Sequence, residues 1–181
     1  MTETSEGLGV ETHSPVQGRS LHLVYLGLPP TENHIWIHRR FGGQVYSEKA
    51  REFKQGFISA VGDEFLPEIQ TFIRGHRTSC VYDARLTFYF VLSDVLNRGW
   101  FTVDKKGARG AQSPYKSMDV GNRRKLLEDC VTTVLGTIDD KLNFRLELVK
   151  RVDDDAPRVE IVLTEADPRD FGIPDDLYRR M

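Results

Sequence analysis

The sequence predicts an α+β domain, with helices packed on one face of a mixed sheet and a β-hairpin at the C-terminal end. Three observations lead there. Leu21 to Gly27, Val81 to Leu92, Phe144 to Leu148 and Val159 to Leu163 have the alternation or the β-branched and aromatic content of strands. Two other stretches carry apolar residues at helical spacing. The two kinds of segment run in the order β-(β)-α-β-loop-α-β-β, an interleaving that one packed sheet-and-helix layer accommodates. A chain of 181 residues is long enough to bury one core of its own.

The elements follow in chain order. The first strand runs into Leu28-Pro29-Pro30-Thr31, whose prolines fix an extended segment. Ile35 to Ile37 alternates as a strand, which leaves His34 and His38 unsuited to a helical zinc pair, and Gln44 to Tyr46 forms a short strand after Gly42-Gly43. Ser47 is placed to cap a helix whose stripe is Phe53, Phe57, Ile58, Val61 and Phe65, and Pro67 starts a second helical piece. Val81 to Leu92 reads as the long central strand. Residues 93–118 lose all periodicity and are expected to form a long loop, with a strand piece near Trp100 to Val103. Asp119 is placed to cap a helix with Leu127, Cys130, Val131 and Val134 inward and Gly136 at its end. Asp139-Asp140 then opens a strand, and Asp153 to Pro157 turns it into a hairpin with the last strand. Residues 1–20 read as a flexible tail, 21–165 as the domain, and 166–181 as a second tail that either packs on a partner subunit through Phe171, Ile173, Leu177 and Tyr178 or stays loose.

The charge balance excludes a uniformly basic nucleic-acid coat, since the formal net charge is −2. That value is a cancellation. Arg98 to Lys125 holds eight bases against two acids, net +6, and Asp153 to Met181 holds nine acids against four bases, net −5. A basic loop of this kind attracts a phosphate backbone, with Lys105, Lys106, Arg109, Lys116, Arg123 and Arg124 as contacts, although an ordinary solvated loop has the same composition. Trp100, Phe101 and Tyr115 in that block suit either base stacking or packing. No run of 18 apolar residues predicts a membrane span, and the first residues lack the basic and apolar blocks of a secretory leader. Cys80 and Cys130 form neither a disulfide framework nor a metal pair, which points to a cytoplasmic, reducing compartment.

The chemistry-bearing run is Asp119-Val120-Gly121-Asn122-Arg123-Arg124-Lys125, followed by Asp129 and then Asp139-Asp140. On a helix beginning near Asp119, that residue, Asn122, Lys125 and Asp129 share one side. Clustered carboxylates suit a hard divalent cation, Mg²⁺ or Mn²⁺, and such ions serve phosphodiester hydrolysis. The same residues also suit a helix cap, a Lys125–Asp129 surface pair and a polar turn.

Taken together, these motifs resemble the RusA family of Holliday-junction resolvases. The likeness rests on Pro29-Pro30-Thr31-Glu32-Asn33 after the first strand, on Asp119-x-Gly121-Asn122-x-x-Lys125 opening a helix, on an Asp-Asp pair with Asp140 21 residues after Asp119, and on the element order across 21–165. The resemblance implies a RusA-like fold and a dimeric endonuclease cutting four-way or otherwise branched DNA in recombination or phage DNA processing, inside a bacterial or phage-infected cell. It implies Asp119 and Asp140 as catalytic metal-binding acids, Lys125 as a catalytic cation, Asp139 and Asp129 as further metal ligands, and Asn122 beside the DNA. One departure stands out: where the family motif has a second acid, this chain has Gly121. Either Asp129, Asp139 or Glu128 replaces it, or the protein binds branched DNA with weakened chemistry. A protein-interaction role on the same fold is a third reading.

Overall fold

The computed structural model describes residues 18–31, 34–38, 42–76, 80–103, 106–108, 110–116, 120–136 and 138–174. The strands are β1 (Ser20–Leu26), β2 (Trp36–His38), β3 (Gln44–Tyr46), β4 (Val81–Phe90), β5 (Asn143–Val152) and β6 (Arg158–Ala166). The helices are α1 (Glu48–Glu64), α2 (Leu66–Arg74), the single turns α3 (Leu92–Val95) and α4 (Arg98–Phe101), and α5 (Gly121–Leu135).

Local chemistry accounts for most of these boundaries. The Ser47 side chain accepts the Ala50 amide at 3.2 Å, satisfying one of the unbonded amides at the start of α1. Pro67 sits in the first turn of α2, where its missing N–H costs nothing. Gly136 ends α5 at φ 66°, in the left-handed region that a side chain would disfavour.

Four strands form one mixed sheet in the order β1-β6-β4-β5, and β2 pairs with β3 in a separate ribbon. β6 runs antiparallel to both β1 and β4, while β5 runs parallel to β4. Successive residues of β4 point to opposite faces. Tyr82, Ala84, Leu86, Phe88 and Phe90 are buried in one core with Leu21 and Leu23 of β1 and Val159, Ile161 and Leu163 of β6. Phe53, Phe57 and Val61 of α1, Ile69 and Phe72 of α2, and Leu126, Leu127, Cys130 and Val131 of α5 fill the same core. The helices thus cover one face. The other face is polar, with cross-strand ion pairs Asp83–Arg145 at 3.0 Å and Arg85–Glu147 at 3.1 Å. In the apolar core the Cys130 thiol is pushed up to about 12, because burial disfavours the thiolate.

Three expectations are corrected. The last two strands do not form a hairpin, because β4 lies between them. β4 buries more of its residues than any other strand and has neighbours on both edges, so the 153–157 link passes across its end: the Asp153 amide donates to the Phe90 carbonyl at 2.9 Å and the Leu92 amide to Asp154 at 3.1 Å. Near Trp100 there is a helical turn instead of a strand piece, with a lone bridge between Leu96 and Tyr115. Asp140 opens a 3₁₀ turn, Asp140–Leu142, which precedes β5. At the C-terminal end, Phe171 packs within its own chain, 5.5 Å from the Phe144 ring and 5.4 Å from the Arg145 guanidinium, whereas Leu177 and Tyr178 lie outside the described residues.

Candidate functional site

The site is built on α5. Leu126, Leu127, Cys130 and Val131 hold the helix to the sheet, which leaves Arg124 and Lys125 exposed and Glu128 and Asp129 half-buried. Following α5, Ile138 anchors the chain in the core, and the Asp139-Asp140 pair returns alongside the helix. Glu128, Asp139 and Asp140 line one small cleft with Val131, Leu135 and Ile161, about 20 Å³ in volume. That is room for about one water.

Within this acid group the carboxyls have different proton affinities. The Lys141 amide, donating to Asp139 at 3.1 Å, holds Asp139 below the usual carboxylate range, and the hydrogen bond from Asp140 and the Lys141 ammonium at 3.1 Å act the same way. Asp140 is raised, first by its hydrogen bond to Asp139, then by burial and the negative charges of Asp139 and Asp129. Glu128 is raised mainly by burial, with Asp140 and Asp129 adding to the effect and Arg124, paired to it at 3.0 Å, opposing it. Neighbouring carboxylates that repel each other's charge in this way are what a cation would relieve.

Asp129 faces a second element. It accepts the Tyr46 hydroxyl at 2.6 Å, and Tyr46 is stacked on Trp36 at 4.6 Å, so the β2–β3 ribbon is tied to α5 through this acid. The bond joins residues 83 apart in sequence, and neither spacing nor charge pattern signals it.

The expected phosphate contacts fall into different settings. Arg123 is turned inward: its guanidinium donates to the Pro29 carbonyl, lies 5.5 Å from the centre of the Phe90 ring, and is lowered in pKa by burial. It ties the start of α5 to the proline segment after β1. Arg124 is engaged by Glu128. Lys106 and Lys116 are exposed, and Lys125 is exposed and pairs with no acid among the described residues. Asp119, Lys105, Arg109 and the side chain of Asn122 lie outside the described residues.

The structure therefore brings Asp140 and Asp139 to Glu128, with Asp129 at the margin. The meeting point is seven residues along α5 from Gly121, about 10 Å of helix. Among the described residues, no three His, Cys, Asp or Glu side chains converge on a metal site. No helix of the described residues is long and apolar enough to cross a membrane. No protein-family model and no curated protein matches the chain.

Proposed function

We propose that the chain is a Mg²⁺- or Mn²⁺-dependent endonuclease of the RusA type, a two-fold symmetric dimer that cuts four-way and other branched DNA. One observation carries the reading. The Asp139-Asp140 pair returns against Glu128 and Asp129, on the same helix that opens from the Asp119-x-Gly121-Asn122-x-x-Lys125 run. A symmetric junction needs paired cuts, which a two-fold dimer supplies.

The donor chemistry fits the ion. Mg²⁺ is usually held by one or two carboxylates with water and substrate phosphate completing its shell, so a full cage of protein ligands is not required. Asp140 and Asp119 would hold it, and Glu128 supplies a carboxylate that Gly121 lacks. When bound, the ion activates water and neutralises charge on the scissile phosphate. The chain's own part is electrostatic. Lys125 offers an exposed ammonium for the departing oxygen, and Arg124 holds Glu128 in position by its ion pair. Asp139, whose carboxylate accepts the Lys141 amide at 3.1 Å, adds its negative charge beside Asp140.

Gly121 favours a second reading, in which the protein binds branched DNA without cutting it. Purified protein incubated with a synthetic four-way junction and Mg²⁺ or Mn²⁺ separates the two. Cleavage is expected, with Asp140→Asn lowering the rate on the order of a hundredfold or more while gel-shift binding persists. Binding without cleavage by the parent, with cleavage appearing in Gly121→Asp, establishes the second reading. Undiminished cleavage by Asp140→Asn overturns the assignment of the site.

A further inference from the structure

The described residues that follow β4, 92–103, 106–108 and 110–116, leave the end of that strand as two arms held to each other. Val95 is buried in the core. The returning arm is fastened beside the outgoing one: the Lys116 amide donates to the Val95 carbonyl at 2.8 Å, and the Asn97 amide to the Pro114 carbonyl at 2.8 Å. Gly99 and Gly110 let the two arms touch, since a methyl on either would lie 3.0 or 3.1 Å from the other's carbonyl oxygen.

This anchored flap carries an unusual surface. Phe101 is 65% exposed, Val103 61% and Tyr115 60%. Phe144, another exposed aromatic, packs on Phe171, but neither Phe101 nor Tyr115 packs on a second ring among the described residues. Neither ring is buried in the core. In sequence, 92–116 holds five bases (Arg98, Lys105, Lys106, Arg109 and Lys116) against the acids Asp94 and Asp104.

We propose that the flap is a stacking platform for unpaired DNA, with Phe101 and Tyr115 taking base faces and the exposed Arg98, Lys106 and Lys116 holding the backbone. The proposal rests on the branched-DNA reading and adds to it what part of the substrate the flap takes. Exposed aromatic rings beside cations match a strand whose bases are unstacked, because every base has an aromatic face and a backbone charge. Paired bases within a duplex have both faces covered, whereas a branch point or a single strand offers free ones. A second copy of the flap is a poor occupant, since a two-fold contact would set the net +3 of one segment against the +3 of the other.

The test uses the full chain in EDTA, with fluorescence anisotropy against three labelled probes: a single-stranded thymidine oligonucleotide, a duplex of equal length and a four-way junction. The double variant Phe101→Ala with Tyr115→Ala is expected to weaken single-strand binding on the order of tenfold. Duplex affinity should stay within about twofold, and Phe101→Tyr with Tyr115→Phe should restore the parent value. Circular dichroism melting should match the parent, because both rings are exposed. Parent-like single-strand binding by the double variant, equal losses on duplex and single strand, or a change in sedimentation showing that the rings serve self-association overturns the platform alone. A parent that binds none of the three probes overturns the branched-DNA reading itself.

Discussion

β4 and the flap that follows it are neighbours in sequence and similar in their liking for aromatic and aliphatic residues, yet they spend those residues in opposite ways. In β4 the rings of Tyr82, Phe88 and Phe90 are fully buried beneath the helices. In the flap, Val95 reaches the core while Phe101, Val103 and Tyr115 face water. Apolar content in β4 is explained by stability. In the flap it contributes little to stability, and its exposure on a net basic segment is what the proposed stacking role accounts for.

The largest expected difference between the two regions is thermodynamic. Phe88→Ala should cost about 3–5 kcal/mol by loss of burial and creation of a cavity. Phe101→Ala should stay within about 0.5 kcal/mol of the parent. Chemical denaturation of both variants checks this, and equal costs would break the comparison. A smaller effect tests the join between the regions. Val95→Ala removes two buried methyl groups and should cost about 1.5 kcal/mol. It should also speed tryptic cleavage within the flap while leaving cleavage elsewhere unchanged. If the flap is cut no faster, Val95 is not its anchor.

The smallest effect belongs to the acid cleft, where burial again decides the outcome. Glu128 is raised in the folded protein, so it binds a proton more readily there than in the unfolded chain. Its contribution is therefore complete below the unfolded value and is lost as pH rises through the raised folded one. Glu128→Gln should gain on the parent as pH rises through that window, measured as the difference in denaturation midpoint between acid and neutral pH. A difference independent of pH would show that Arg124 fully compensates the carboxylate.

Much of the fold was readable from local pattern. The stripe of Phe53, Phe57 and Val61, the cap at Ser47 and the stop at Gly136 each depend on residues within a turn or two of one another. The order of the last strands was not. Two strands joined by five residues ordinarily pair, and nothing in 143–166 announces that β4 will come between them. In the candidate site, Asp139, Asp140, Lys125 and Glu128, one of three candidates for the acid missing at Gly121, stood out by residue type, spacing and family resemblance. The inward turn of Arg123 onto the Pro29 carbonyl and the Tyr46–Asp129 bond did not, because each joins residues more than 80 positions apart.

Local pattern alone showed which faces of the strands and long helices are apolar, where α1 starts and α5 stops, and that a basic block precedes an acidic end. These are properties of periods two and 3.6 and of composition. The tertiary structure decided that β4 separates β5 from β6, that the acids after α5 return to Glu128, and that Phe101 and Tyr115 are left in water. Those outcomes come from competition among distant segments for one sheet and one core: the strand that buries most of its residues takes an inner place in the sheet, and residues that find no room against the core remain outside.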